Sequence, residues 1–513
     1  MANGDWSRIQ HIVVMMLENR SFDNLLGWLY DPSNPAPFNQ APPANFEGLH
    51  GKSLSNPKPD GTLVSVGKGQ VLTDPTPDPG EPFEDVYCQI YGQKAAPNPI
   101  PPKPTTPANM QGFIYNYAVQ KDVVSQKIDS TKIMNCFTPA SVPVLSSLAY
   151  YYCVCDHWFS SIPSQTICNR SFVHAGTSSG YVNNGGGDNL IFVNNTKTIY
   201  DLLEQKKKSW KIYSASWLIT SLALLTQESV WQYFLHDSHD HFGHLEDFLA
   251  DARQPGGLPS YSFIEPVYID SSRWGPENDM HPEANPFQLY GPSNLEEGER
   301  LLFTIYNAVR NSPDWNSTML VILFDEHGGC YDHVPPPTAA DGCPIAVSPD
   351  GRVIPSGQTG ASGFEFDRLG VRVPAIVVSP FTGQGTILND VLDHTSVLST
   401  VINCFDLGAT MGNRQKVVPD LSRALTLFQQ RTDHPPIPEP APSLADGDRL
   451  LQAGNALLHA KQKPLSDLQK KILVGVAKRL ALPATAELAG LTNSLDADAF
   501  LMKQAAEALS RRI

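Results

Sequence analysis

The chain alternates between short unbroken apolar runs and polar turns. His11-Ile-Val-Val-Met-Met-Leu17 and Met319-Leu-Val-Ile-Leu-Phe324 are apolar at nearly every position, the pattern of a strand covered on both faces. Shorter runs at 151–155, 262–264 and 371–379 read the same way. After the first run, Phe22, Leu25, Leu26 and Leu29 fall at i, i+3, i+4 and i+7 behind Ser21, which predicts a Ser-capped amphipathic helix. Further helices are expected over 142–150, 198–206, 296–311 and 394–402. Strands alternating with helices predict an α/β fold, a mostly parallel sheet covered by helices on both faces.

Two stretches break that rhythm. Residues 31–109 are dense in Pro, Gly, Asn and Asp, more than a compact domain spends on a connection, and are expected to fold over the mouth of a site. Residues 181–260 read as a mixed insertion. A proline-rich linker at 435–443 closes the core, 1–434, and the Ala- and Leu-rich segment 444–513 is expected as a small helical extension. Its basic-apolar pattern near 468–480 would suit transient contact with a membrane surface.

Composition narrows the class. The chain has 513 residues, 41% of them hydrophobic, and no run reaches the roughly 20 apolar residues that span a bilayer. A net charge of -15 argues against a nucleic-acid partner. The first dozen residues are polar and the run after them is too short for a signal-peptide core, which leaves open the cytoplasm, another export route or a mature form. Eight cysteines show no C-x-x-C pairing and read mainly as buried thiols, Cys153, Cys155 and Cys404 among them.

The candidate chemistry lies where apolar runs end. Ligands of open parallel sheets bind beyond the carboxyl ends of the strands. The runs here end in Glu18-Asn19, Asp156-His157, Glu265 and Asp325-Glu326-His327. Adjacent carboxylates at a buried strand end repel without a cation, so Glu18, Asn19, Asp325 and Glu326 are expected to hold one or more divalent metal ions. Oxygen-rich ligation leaves calcium, zinc, magnesium and manganese open. Thr166 follows a Ser/Thr-rich turn at a helix start, where free backbone N–H groups favour an anion. With Asn169, Arg170 and His157 as phosphate contacts, Thr166 would be the nucleophile of phosphoryl transfer, forming a phosphothreonine that water releases. Asp156, Glu265, Asp332 and His394 are expected as supporting residues, and the His-rich stretch 236–244 as a solvated loop.

Glu18-Asn-Arg-Ser-Phe-Asp23, Thr166-Ile-Cys-Asn-Arg170, Glu265-Pro266, Asn278-Asp-Met-His281-Pro282, Asp325-Glu-His-Gly-Gly-Cys-Tyr-Asp-His-Val334, Gly370-Val-Arg-Val-Pro374 and Asp393-His-Thr-Ser396 occur in this order over roughly 9–405. The set resembles the bacterial phosphatidylcholine-hydrolysing phospholipases C, the plant non-specific phospholipases C and the related respiratory-burst-inhibiting acid phosphatase. The resemblance implies an alkaline-phosphatase-like core, the same four metal ligands, and a Ser or Thr nucleophile at Thr166. Cys168 stands where that family usually has Pro. The resemblance also brings His281 and His333 close to the phosphate, with the choice of general acid between them open. The expected substrate is phosphatidylcholine, with a phosphomonoester as the alternative and a non-catalytic lipid- or metal-binding relative as a third reading. Trp28, Trp158, Trp217, Trp231 and Trp274 are candidates to cage a quaternary ammonium group.

Overall fold

The computed structural model describes residues 5–92, 106–185, 193–216, 218–236, 238–270, 275–282, 295–347, 364–440, 467–480 and a few positions beyond 464 besides. Eight strands form the main sheet: β1 (His11–Leu17), β2 (Cys153–Cys155), β3 (Trp210–Ser214), β4 (Phe242–His244), β5 (Tyr261–Glu265), β6 (Thr318–Phe324), β7 (Ala375–Val378) and β8 (Thr386–Leu388). Their order across the sheet is β8-β2-β7-β6-β1-β5-β3-β4. The helices that matter below are α1 (Phe22–Leu26), α2 (Phe83–Tyr91), α3 (Pro143–Tyr151), α4 (Thr166–Ala175), α5 (Leu222–Thr226), α6 (Leu295–Arg310), α7 (Thr395–Cys404) and α8 (Asp467–Arg479).

The two longest apolar runs became the central pair. β1 and β6 lie parallel and in register from His11↔Thr318 to Leu17↔Phe324. Every residue of β6 is buried, and every residue of β1 after His11, as both-face coverage requires. The register has a direct consequence: Glu18 and Asp325, next in each chain, leave the sheet side by side. β7 alone runs antiparallel, to both β6 and β2. Its first residue therefore lies at the end where β6 finishes, and the preceding segment 370–374 arrives at the same edge as Asp325.

The structure differs from the sequence expectations in three places. Residues 181–260 supply β3 and β4, one edge of the main sheet, so this stretch extends the core. It escaped the pattern because Trp210-Lys-Ile-Tyr-Ser214 is interrupted by lysine and Phe242-Gly-His244 is too short to show a period. The helix expected after Ser21 stops at Leu26, with Ser21 accepting from the Asn24 amide as its cap. In the C-terminal segment, α8 lays Leu468, Ile472, Leu473 and Val476 into the cluster that contains Ile167, Cys168 and Phe172 of α4. Its apolar face is therefore covered by the core, and Arg479 Nη1 pairs with Glu228 Oε2 at 2.6 Å. None of the eight cysteines is in a disulfide; Cys343 and Cys404 are half-buried and the others buried.

Asn169 and Gly370 shape the turn that delivers Thr166. The Asn169 side chain accepts from Ile162 N at 3.0 Å and donates to Ser164 O at 2.7 Å, which fixes the loop before α4. Gly370 N donates to Ser160 O at 2.9 Å, and a Cβ on Gly370 would lie 2.4 Å from Ile162 O. Gly370→Ala is expected to lower stability by about 1–3 kcal/mol, the usual range for overpacking, read as a lower urea midpoint with unchanged slope.

Candidate active site

Six of the expected residues meet at the ends of β1 and β6. The Thr166 hydroxyl, on the first residue of α4, donates to Glu18 Oε2 at 3.2 Å and lies 3.3 Å from Asn19 Oδ1. One turn on, Arg170 pairs with Glu18 Oε1 through Nη2 and with Asp325 Oδ2 at 3.3 Å through Nε. The same Nη2 also donates to Met16 O and Leu17 O, each at 3.2 Å. Asp325 Oδ1 accepts from Asn19 N at 3.0 Å and from Glu326 N at 2.7 Å. Glu18, Asn19, Thr166, Asp325 and Glu326 have no exposed surface, and Arg170 has almost none.

Backbone conformation makes this convergence possible. Asn19 turns the chain off β1 at φ 54°, a left-handed geometry that asparagine tolerates. Gly328 lies at φ 60°, and a Cβ there would be 2.1 Å from Asn19 O, so only glycine lets the two strand-end loops touch. Gly328 N then donates to Glu326 Oε2 at 2.7 Å. His394 Nδ1 accepts from Trp158 Nε1 at 3.2 Å, which puts its proton on Nε2, donated to Asp325 O at 2.6 Å. Burial holds that imidazole below its ordinary pKa.

The Pro-rich segment supplies residues that the pattern did not single out. Asn19 Nδ2 donates to Glu81 Oε1 and to His281 Nε2, the latter at 2.9 Å. His281 Nδ1 lies 2.7 Å from Pro282 O and 3.9 Å from Asp78 Oδ1. Arg20 ties the segment down, donating to Asp74 O and to Met280 O, both at 2.7 Å. Gln89 of α2 donates to Gly80 O at 2.7 Å and lies at the same distance from His327 Nε2. The signal in the sequence was the acidic turn Asp78-Pro-Gly-Glu81 directly ahead of an amphipathic helix.

His333 and His157 lie elsewhere, around Arg372. Arg372 pairs with Asp23 Oδ1 at 2.9 Å and Asp332 Oδ1 at 3.0 Å, and donates to Asp156 O at 2.8 Å. His333 Nδ1 is held 2.5 Å from Asp23 Oδ2, with Nε2 2.9 Å from Glu47 Oε1. His157 Nδ1 is 2.8 Å from Asp156 Oδ1. Of the two candidate acids, His281 is the one beside the partners of Thr166. Asp23, Asp332 and His333 have the spacing of metal ligands, but Arg372 already pairs with both carboxylates.

Other expected residues serve the fold. Asn169 braces the turn described above. Glu265 caps α5, accepting from the Ser221 hydroxyl and from Leu222 N at 2.9 Å. At the start of α4 the amide of Ile167 is taken by Asn184 Oδ1 at 2.7 Å, so part of the expected anion cradle is filled by the protein. Trp158 is buried against His394, Trp28 lies beneath Lys68 and Trp231 beneath Arg479; Trp217 and Trp274 fall outside the described residues. In the His-rich stretch, His241 stacks on Trp210 with ring centroids 4.0 Å apart and His244 caps a helix.

The charges favour a divalent cation. Burial pushes the Glu18 carboxyl well up, against the pull of Arg170 and with Asp325 adding to the rise. Burial does the same to Glu326 and Glu81, reinforced by Asp325 in the first case and by Asp78 and Glu326 in the second. Glu326 Oε1 is buried without a hydrogen-bond partner among the described residues. An imidazole, an amide and several carboxylates, one of them unsatisfied, suit a divalent metal, whose charge would relieve their repulsion.

A model of the phosphoesterase family matches residues 9–408. Non-specific phospholipase C3 of Arabidopsis thaliana is 33% identical over 439 residues, covering 84% of this chain and 76% of its own length. Non-specific phospholipase C6 of the same plant is 34% identical over 451 residues, 86% of this chain and 76% of its own. Phospholipase C A of Mycobacterium tuberculosis is 27% identical over 451 residues, 82% of this chain and 78% of its own. Among solved structures, a protein of the alkaline phosphatase superfamily from Vibrio parahaemolyticus aligns over 56% of this chain and 64% of its own, at 13% identity and a TM-score of 0.32. The chain belongs to the phosphoesterase family.

The Arg372 network carries a pH signature of its own. Burial works against charging His333, but Asp23 overrides it and raises the imidazole pKa above its ordinary value of 6.5. A raised pKa contributes stability that is complete below the unfolded value and disappears as pH rises through the folded one. The stability gap between wild type and His333→Gln is therefore expected to be widest below about pH 6.5 and to shrink above it, measured by urea denaturation across that range.

Proposed function

We propose that this chain is a metal-dependent phospholipase C that cleaves phosphatidylcholine to diacylglycerol and phosphocholine through a phosphothreonine intermediate. The observation that carries this reading is the Thr166 hydroxyl, buried on the first residue of a helix and donated to Glu18, a carboxylate that burial predisposes to accept a proton. The names of the plant and mycobacterial relatives supply the substrate class. No helix among the described residues is long and apolar enough to cross a membrane, so the lipid would be met at a surface.

In the first step Thr166 Oγ1 forms a bond to phosphorus as the bond to the diacylglycerol oxygen breaks. The hydroxyl proton passes to Glu18 Oε2, and the departing oxygen takes a proton from His281, the candidate acid beside Asn19. In the second step water attacks phosphorus, the Thr166 ester breaks, and phosphocholine leaves. Glu18 returns the first proton to Thr166 and His281 takes the water proton, which restores both groups. Arg170 holds Glu18 Oε1, so Oε2 stays on the hydroxyl throughout. A divalent cation on Asn19 and Glu326 would neutralise the phosphoryl oxygens and favour the alkoxide of Thr166.

Removal of the nucleophile tests the reading. Thr166→Ala is expected to reduce phosphocholine release from phosphatidylcholine vesicles by about 10³-fold or more, and Thr166→Ser to retain a substantial fraction. Equal rates for wild type and Thr166→Ala would reject Thr166 as nucleophile. Release from a chromogenic phosphomonoester alone, with none from vesicles, would make the enzyme a phosphatase using the same residues. Chelation is expected to abolish turnover, and re-addition of calcium, zinc, magnesium or manganese singly identifies the metal.

A further inference from the structure

The stretch 468–480, expected to meet a membrane, has its apolar face on the core and offers none to a lipid surface. Apolar side chains are exposed elsewhere. Among the described residues seven large hydrophobic side chains stand exposed, and four of them, Leu63 (66%), Val71 (57%), Val119 (50%) and Val124 (60%), fall in or just after the segment that folds over the site. The other three, Leu235, Val417 and Phe428, come from separate stretches.

The four are carried by elements packed around one cluster. Val64, beside Leu63 in the strand Leu63–Ser65, and Val123, beside Val124 in the helix Lys121–Gln126, both join the cluster that holds Phe113, Tyr117, Ile133 and Met134. Their neighbours Leu63 and Val124 are thereby turned outward. Lys132 donates to Asp74 Oδ1 at 2.6 Å and to Thr76 O at 3.3 Å, and Asp74 N donates to Val71 O at 2.9 Å, which ties the Val71 turn to the same cluster. Val119 ends the helix Phe113–Val119. From that helix Tyr117 donates its hydroxyl to Pro77 O at 2.7 Å, and Gln120, next after Val119, donates to Asp85 Oδ1 at 3.0 Å. These contacts bracket residues 78–81, which reach Asn19 through Glu81.

Charge around the four is nearly balanced. Over 55–65 and 119–132, Lys58, Lys121, Lys127 and Lys132 stand against Asp60, Asp122 and Asp129, in a chain whose net charge is -15. An anionic membrane would repel the chain as a whole, whereas a zwitterionic one would not. Lysine stems beside apolar side chains also let ammonium groups reach lipid phosphates. We propose that Leu63, Val71, Val119 and Val124 form a docking surface for a zwitterionic phospholipid bilayer, next to the 78–81 cover of the site. This rests on the phospholipase reading above. The four side chains touch no reacting group; they hold the enzyme at the surface.

The test uses the full chain with Leu63→Asp and Val124→Asp combined. Phe428→Asp is the control, because Phe428 O accepts from Arg8 at the opposite end of β1 from the site. Binding is measured by sedimentation with phosphatidylcholine vesicles in the Thr166→Ala background, and turnover with Thr166 in place. The double variant is expected to bind vesicles about tenfold or more weakly and to hydrolyse vesicle lipid more slowly by a similar factor, with the control unchanged. Hydrolysis of dihexanoylphosphatidylcholine dissolved as monomers is expected to stay within about twofold of wild type. Vesicle binding that is absent in the parent, unchanged in the double variant or equally lost in the control overturns the docking surface while the phospholipase reading stands. So does an equal loss on the monomeric lipid, which docking residues would spare, or a wild-type dimer that the double substitution dissociates. A wild type that hydrolyses neither form, with vesicle binding still lost in the double variant, overturns the phospholipase reading and keeps the surface.

Discussion

The site depends on one buried cation. Arg170 sits between the ends of two adjacent parallel strands and bonds both the carboxylates that leave them and the last carbonyls of β1. Removing one partner from such a buried group typically costs 3–5 kcal/mol, because the remaining charges are left without water or counterion. The ion pairs therefore act as a register pin. They set the rotation of α4, and that rotation decides where Thr166, one turn earlier, points its hydroxyl. Placement of the Thr166 hydroxyl and strand alignment are a single constraint here.

That constraint explains which parts were legible in the sequence. A strand buried on both faces must be apolar throughout, so β1 and β6 announced themselves, and their abrupt polar ends marked the ligand edge of the sheet. Glu18, Asn19, Asp325 and Glu326 could be named because each follows an unbroken apolar run, and Thr166 and Arg170 because they open a helix behind a Ser/Thr-rich turn. What no period reveals is which charges pair. Arg170 read as a phosphate contact, yet the structure turns its guanidinium onto two carboxylates, leaving Nη1 without a hydrogen-bond partner among the described residues. His333 follows a strand-end loop like its neighbours, but Asp23 and Arg372 draw it into a separate network.

The least legible residues were those of the covering segment. Asp78 and Glu81 lie in a stretch whose conformation is set by prolines and turns, with no repeating face to read. Their position is fixed from outside, by Arg20 on Asp74 and by Gln89 on Gly80. Long-range hydrogen bonds of this kind leave no local trace in a sequence. β3 and β4 were hidden for another reason: Lys211 interrupts the apolar run of β3, and β4 is only three residues long.

Burial sets a requirement on the catalytic cycle. Thr166 has no exposed surface, and neither do the carboxylates around it, while Asp78 keeps about a quarter of its side chain in solvent. A hydroxyl sealed in this way cannot reach the phosphorus of an ester substrate, so some part of the cover must move during turnover. The sheet ends cannot move, because the Arg170 ion pairs and the β1–β6 register hold them. The 78–81 segment is held by side-chain hydrogen bonds against the repulsion of its carboxylates, a weaker attachment than a strand. Opening there would expose Asn19 and the Thr166 hydroxyl from the Asp78 side, which already meets solvent.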